Sequence, residues 1–354
     1  MNAHLKRILL VTETRQSWIS NGPISKSNPD MLKKLQYFLP RDMDIYELYK
    51  EIAIAGEKDN IEVQLVRISD GQELQERIRS IIDEPLIIWS ISDGQIRYRG
   101  GYIPSISKTL RIPYFGSSTA VQSICSNKYI SSLSLLHAGI NVPWSCYVDG
   151  DEVLSSHNQM KIDGPFFVKP NQLGSQIGIN DKSLAYSWED ALERSVEIKK
   201  EFNSRAIIQQ YVEGKVVRVS YVATSEEDKF GINAVNFINN KGENEIYPMD
   251  SVENYTKWIF KYEGINKSNN FSARTIKEIC AKSLYSLKIK DYFGLDACVD
   301  NHGDICVFEI NTSPYVNDIY LDLAKELGFQ NVGECFYNAL IHSYHRQFPV
   351  SRWG

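Results

Sequence analysis

No stretch of this chain stays apolar for anything near the roughly 20 residues that a membrane-spanning helix requires. The N-terminus, MNAHLKRILLVTETRQSW, offers only Leu5 and residues 8–11 as an apolar core, short of the roughly 7–15 residues of a secretory signal. A membrane partner and a cleaved leader are therefore not expected. The six cysteines, Cys125, Cys146, Cys280, Cys298, Cys306 and Cys335, include no C-x-x-C pair, and the six histidines include no H-x-x-x-H. That spacing suggests no zinc site, and thiols in mostly apolar neighbourhoods read as buried groups in a reducing cytoplasm. Excess positive charge is missing too: the net charge is −5 and no run of lysine and arginine forms a basic face, so nucleic acid is not an expected partner. Internal repeats, low-complexity tracts and the common phosphate loop G-x-x-x-x-G-K-[ST] are all absent.

What is present is an ordinary globular composition, 43% hydrophobic and 23% charged over 354 residues, enough for two or three packed units. The first segment alternates strands and helices. RILLV (7–11), IEVQLVRI (61–68) and PLIIWSI (85–91) read as strands, MLKKLQYFL and GQELQERIRSII as helices, and this open α/β unit ends near Pro113. Beyond it, SICSNKYISSLSLLHAGINVP carries Ile130, Leu133 and Leu136 at helical spacing, with Gly139 as C-terminal cap and Pro143 as the stop. AIIQQYV (206–212) is a strand closed by the Glu213-Gly214 turn; VVRVSYVA (216–223) and FGINAVNFI (230–238) are strands as well. The polar, aromatic-rich stretch 243–272 lacks periodicity and reads as a functional loop or a mobile lid. After it, TIKEICAKSLYSLKI places Ile276, Ile279, Cys280, Leu284 and Leu287 on one helical face.

Two stretches carry chemistry. In FFVKPNQLGSQIGIN (166–180), Gly174 and Gly178 free backbone N–H groups to face outward, Ser175 adds a hydroxyl and Lys169 a fixed charge, the ingredients of a phosphate cradle. The lysine precedes the first glycine, the reverse of the common loop, and the bland alternative is a surface lysine at a strand end. In GLDACVDNHGDICVFEINTSP (294–314) two strands flank an Asn-His-Gly-Asp turn. Period-two alternation puts Glu309 and Asn311 on one face, and closure of the hairpin brings Asp296 beside them. Two carboxylates and an amide oxygen suit Mg²⁺, with Mn²⁺ an alternative; solvated or salt-bridged acids are the other reading. The apolar flanks Val307, Phe308 and Ile310 favour a compensated acid over a bare one.

In this order the motifs resemble the ATP-grasp superfamily, and within it the D-alanine-D-alanine ligase-like carboxylate-amine ligases, over residues 86–320. The segment DGQIRYRGGYIPSISKTLRIPYFGSSTAVQSICSNKYISSLSLLHAGINVP, with its Gly-Ser-Ser and Asn-Lys, is similar to the family's passage from the N-terminal domain into the ATP-binding one. The resemblance implies an α/β (α+β) architecture: a Rossmann-like pre-ATP-grasp domain over 1–113, a central ATP-grasp subdomain over 114–212 and a C-terminal subdomain over 213–354. It implies that Lys128 and Lys169 contact ATP phosphates, that Gly174, Ser175 and Gln176 belong to the loop covering them, and that Gln209, Gln210, Tyr211 and Val212 line the adenine. It also matches Asp296, Glu309 and Asn311 to the Mg²⁺ ligands, with the family's 13-residue step from the first acid to the second.

The chain departs from the family as well. The dipeptide ligases carry an arginine two residues before the metal aspartate, where this chain has Gly294; YFGLD is closer to bacterial glutathione synthetase. Arg218, four residues after Gly214, sits where the glutathione synthetase and glutamate-adding relatives also have an arginine, and Val216 replaces the usual ribose acid. The motif that reads the first D-alanine is missing from LLVTETRQSWISNGP. The implied reaction is attack of a carboxylate on the γ-phosphoryl group, giving an acyl phosphate that an amine then captures, with Arg218 on the oxyanion or the acyl phosphate and Lys261, or Lys257, reaching in from the 243–272 loop; a structural ion pair is the other reading of Arg218, and a solvated loop face that of the lysines. The expected substrates are amino acids or peptides, and homodimers are common among the relatives. An ATP-binding protein without ligase activity, and an ester-forming or ring-closing ligase, stand as alternatives.

Overall fold

Ile8, Leu9, Leu10 and Val11 are each fully buried, as befits a strand covered on both faces. The computed structural model describes residues 4–14, 42–91, 101–157, 163–174, 177–224, 230–238, 259–264, 273–300, 302–314, 316 and 319–353. These hold three sheets. The first is parallel, in the order β2-β1-β3-β4, from β1 (Arg7–Glu13), β2 (Glu62–Ile68), β3 (Leu86–Ser90) and β4 (Tyr114–Phe115). Its helices are α1 (Asp42–Glu57), α2 (Gly71–Arg79) and α3 (Tyr102–Thr109). Asp70 caps α2 by accepting from the Gln72 and Glu73 amides at 2.8 and 2.9 Å, which is why the helix starts where the sequence pattern places it.

The boundary expected at 113 falls just before β4, which pairs with β3. The last helix also belongs here: α9 (Val332–Gln347) packs on α1. A Cβ on Gly333 would lie 2.2 Å from the Glu51 Cβ, so only glycine admits this approach, and the Gly333 amide donates to Glu51 at 2.8 Å. Trp89 of β3 stacks on Phe336 of α9 at 5.0 Å between centroids and donates to the Tyr292 hydroxyl at 3.0 Å. That aromatic cluster joins the first sheet to the third. The last helix of the expected 213–354 subdomain thus packs against elements of the N-terminal unit. The helix expected in MLKKLQYFL lies outside the described residues.

After β4 come two short helices, α4 (Thr119–Ser126) and α5 (Lys128–His137), split at Asn127. The sequence pattern suggested one helix. Ile130, Leu133 and Leu136 prove exposed, and α5 instead buries Tyr129, Ser132 and Leu135; its start is dictated by polar contacts rather than by the apolar stripe. Gly139 ends the segment at φ +72°, as expected of a helix-stopping glycine.

The second sheet is antiparallel, β6-β5-β9-β7-β8, formed by β5 (Ser145–Asp149), β6 (Glu152–Ser156), β7 (Phe166–Pro170), β8 (Leu184–Ala185) and β9 (Ala206–Gln210), with α6 (Trp188–Phe202) packed on one face. Cys146, Val148, Phe166, Val168, Ala206 and Ile208 face α6. The alternate residues, Ser145, Phe167, Lys169, Ile207 and Gln209, therefore face the other way.

The third sheet is antiparallel, β12-β11-β10-β13-β14, from β10 (Lys215–Val222), β11 (Phe230–Ile238), β12 (Ile259–Gly264), β13 (Tyr292–Val299) and β14 (Ile305–Asn311). Strand β12 falls inside the stretch expected to be loop. Helix α7 (Ala273–Leu287) presents Ile276, Cys280 and Leu287 to Val217, Val219, Leu295 and Ala297. A further helix, α8 (Ile319–Glu326), packs on β10 and β11. The crossing from β9 to β10 runs through Gly214, where a Cβ would lie 2.2 Å from the Val299 carbonyl oxygen.

Candidate active site

The backbone register decides which side chains of the third sheet can meet. Arg218 of β10 is opposite Asp296 of β13, and Asp296 is opposite Glu309 of β14. One row further, Gly294 lies between Ser220 and Asn311. Arg218, Asp296, Glu309 and Asn311 consequently share the face turned away from α7. At Phe308 the register slips: Asp296 pairs with Glu309 but Ala297 pairs with Val307. This bulge lets Val307 and Ile310, three residues apart, both enter the core shared with α7 while the residues between them turn to the opposite face. The sequence-expected metal trio is brought together on one face. A bulge inside the strand was not readable from alternation.

Arg218 grips Asp296 with two hydrogen bonds, Nε to Oδ1 at 2.5 Å and Nη2 to Oδ2 at 2.6 Å. The carboxylate raises the arginine pKa further above its usual value. The Asn311 Oδ1 accepts the Ser313 amide at 3.0 Å, leaving its second lone pair available. Among the described residues no three His, Cys, Asp or Glu side chains form a metal cluster; here the third oxygen belongs to an amide. Two carboxylates and that amide oxygen are the donor set a hard divalent cation accepts.

Two lysines converge on the same face from the other unit, and both are buried. Lys128, the first residue of α5, approaches Glu309 Oε1 at 3.4 Å and donates to the Leu173 carbonyl at 2.7 Å. Lys169, near the end of β7, lies over the Phe308 ring at 5.2 Å from its centroid. Burial lowers its pKa, against the opposing pull of Glu309 and Asp296. An ion pair at the Lys128–Glu309 separation gains roughly 5 kcal/mol at an effective dielectric of about 20, while desolvation costs several kcal/mol per ion. The cost for two ions is at least as large as the gain, so these groups fix geometry rather than stabilise the fold.

Lys128 is held in place by its neighbours. Asn127 caps α5 through Oδ1, accepting the Ile130 amide at 3.1 Å and the Asn171 Nδ2 at 2.9 Å. Asn171 in turn accepts the Tyr129 amide at 2.9 Å, and its carbonyl accepts the Lys128 amide at 3.1 Å. The helix start is thereby pinned to the chain leaving β7. The glycine loop begins there: the Ile177 amide donates to the Gly174 carbonyl at 3.1 Å, and Gly178 takes φ +80°. Ser175 and Gln176 lie outside the described residues, as does Lys257; Lys261 is on β12 opposite Asn236, its side chain also outside them.

Of the expected adenine-lining residues, Gln209 is buried on the lysine-bearing face of the second sheet and donates to Ser145 Oγ at 3.1 Å. Gln210 points to the opposite face and is exposed, so only its backbone, which donates to the Trp144 carbonyl at 2.9 Å, shares that edge. The Tyr211 amide is bound to the Pro165 carbonyl at 2.9 Å, and the Val212 carbonyl accepts the Cys298 thiol at 3.5 Å. Sequence reasoning passed over Asn171 and the Leu173 carbonyl, and took Phe308 only as an apolar flank of Glu309. Only the Asn-Lys pair, a helix-capping signal, pointed toward the first of them.

A family described as "D-ala D-ala ligase C-terminus" matches residues 137–334, more than half of the chain. A D-alanine–D-alanine ligase of Aquifex aeolicus is 28% identical over 232 residues, covering 64% of this chain and 73% of that protein. One of Streptococcus thermophilus is 23% identical over 194 residues, and there the match spans about half of each, 53% and 53%. Among solved structures, a D-alanine–D-alanine ligase of Bacillus anthracis complexed with ATP superposes with TM-score 0.67 at 17% identity, over 98% of this chain and 99% of that one. The VanG D-Ala:D-Ser ligase of Enterococcus faecalis gives 0.62 at 15% identity, over 96% and 100%. The three-sheet arrangement is the ATP-grasp fold of these ligases, and the chain belongs to the D-alanine–D-alanine ligase C-terminal domain family.

Proposed function

We propose that this chain is an ATP-dependent carboxylate–amine ligase that joins two amino-acid-like substrates through an acyl phosphate, releasing ADP and phosphate. The observation that carries the reading is the in-register row Arg218, Asp296 and Glu309, with Asn311 one row on, approached by the buried Lys128 and Lys169 from the second sheet. Such a face offers a triphosphate cation donors and a divalent cation oxygen donors at once. Asp296, Glu309 and Asn311 would hold Mg²⁺, which when bound neutralises phosphate oxygens. Lys128 and Lys169 reduce the repulsion between an attacking carboxylate and the polyphosphate, and the loop at Gly174 supplies backbone N–H groups. Gln209, Tyr211, Val212 and the backbone of Gln210 are assigned to the adenine, Ser175 and Gln176 to the phosphates, and Lys261 to the catalytic lysine.

Arg218 lies in the row beside Gly294, where dipeptide ligases carry their arginine, and so presents a guanidinium to the same face from the neighbouring strand. That supports a role on the developing oxyanion. The relatives' names point to D-amino acids as the first substrates to try. Six buried, unbridged thiols support a cytoplasmic setting, and among the described residues no helix is long and apolar enough to cross a membrane. The test is ADP release across pairs of D- and L-amino acids. Release that requires both a carboxylate and an amine is expected; tight ATP binding with no turnover on any pair overturns the ligase reading, and release with a hydroxyl or a single substrate identifies ester formation or ring closure.

A further inference from the structure

We propose that Arg194 is a positioning residue for the loop that starts at Gly174, holding its return limb in the conformation that receives the triphosphate; this rests on the functional reading above. Arg194 stands on α6 with its side chain 2% exposed. Its Nη2 donates to the Gly178 carbonyl at 2.7 Å and its Nη1 to Glu197 at 2.8 Å, and Glu197 also pairs with Lys182. The Nε is buried with no hydrogen-bond partner. A helix packed on a sheet can fill such a position with an aliphatic side chain at less cost, since a buried guanidinium must be compensated and here one of its donors is not. What the arginine contributes that an aliphatic residue cannot is the grip on Gly178.

That grip is one of two. The outgoing limb is held at the Leu173 carbonyl by Lys128 of α5, and the return limb at the Gly178 carbonyl by Arg194 of α6. Between them the Ile177 amide closes onto Gly174 at 3.1 Å. From the other side Gly178 lies against Pro170, the residue after Lys169: a Cβ on Gly178 would stand 2.6 Å from the Pro170 Cγ. Gly178 is thus wedged between Pro170 and Arg194, so its position relative to Lys169 is set by a residue remote from the third sheet. Leu173 and Gly178 are each held by a cationic side chain of a neighbouring helix, which lowers the ordering cost of placing the backbone beside a phosphate.

The experiment compares Arg194→Met and Arg194→Lys with the unaltered full-length protein, measuring equilibrium affinities for ATP and for adenosine, which lacks phosphates, together with thermal melting. Arg194→Met is expected to weaken ATP by at least about 10-fold, the scale of one lost charge-assisted hydrogen bond, with adenosine unchanged and Arg194→Lys in between. Equal loss for both ligands, or unchanged ATP affinity in a folded variant, overturns the proposal and leaves Arg194 a packing residue. Should Arg194→Met fail to fold, Glu197→Gln, which removes the carboxylate steering the guanidinium, must show the same selective loss; an unchanged ratio of the two affinities overturns the proposal equally. An unaltered protein that binds no ATP overturns the functional reading itself, whereas one that binds ATP as well as its variants overturns only the role of Arg194.

Discussion

Arg218 and Asp296 face each other across adjacent strands and are joined by two hydrogen bonds of 2.5 and 2.6 Å, so an acid suited to a metal is tied to the guanidinium suited to an oxyanion. Removing the arginine removes a cation from the side of a mostly buried carboxylate. Arg218→Met should lower turnover by about 100-fold or more with ATP affinity little altered. It should also lower the melting temperature in EDTA by more than in Mg²⁺, because a divalent cation can replace the lost charge. Unchanged turnover would leave Arg218 an ion-pair residue only.

Glu309→Gln keeps the shape of the side chain but discards its charge, and with it the partner of Lys128 at 3.4 Å. Turnover should vanish while the circular dichroism spectrum stays that of the unaltered protein. Retained turnover in this variant would remove the metal hypothesis.

Asn127 both caps α5 and ties it to Asn171. Asn127→Ala should cost about 1 kcal/mol of stability, roughly 2–4 °C in melting temperature for a domain of this size, and should weaken ATP binding because Lys128 is the next residue. A melting curve that does not move would contradict the cap.

All six cysteines are buried. Burial pushes the thiols of Cys125, Cys280, Cys306 and Cys335 up to about 12 and those of Cys146 and Cys298 up to about 11, from an ordinary 9.0. The folded pKa values exceed the unfolded ones, so above pH about 9 the unfolded chain releases protons that the folded chain keeps. Stability from this source is therefore whole below that pH and is lost as pH rises toward the folded values. Melting temperature should fall between pH 9 and pH 11, and at pH 8 a thiol reagent should label none of the six until denaturant is added. Rapid labelling of the native protein would show the thiols to be accessible.

Much of the hairpin is legible in the sequence because its signals are local. Around the expected turn the Asp300 carboxylate accepts the His302 and Asp304 amides at 2.9 Å each, and period two puts Glu309 and Asn311 on one face. Lys128 and Arg218 acquired roles only through the family resemblance, since nothing in their own neighbourhood marks them. Arg194 carried no signal at all: one arginine in WEDALERSVEIKKEF looks like any charge on a solvated face, until the packing of α6 on the second sheet buries it.

Most strands, the turn of the last hairpin and the lack of zinc-binding and membrane-spanning patterns are legible in the chain because alternation, turn chemistry and composition act over a few residues, whereas the helix break at Asn127 and strand β12 are not. Only the tertiary structure decided that β10 lies beside β13 and so sets Arg218 against Asp296, that the bulge at Phe308 turns its ring toward Lys169, and that the last helix returns to the first sheet. Those outcomes depend on contacts between residues far apart in the chain, where burial and steric fit among distant segments, rather than local preference, select the arrangement.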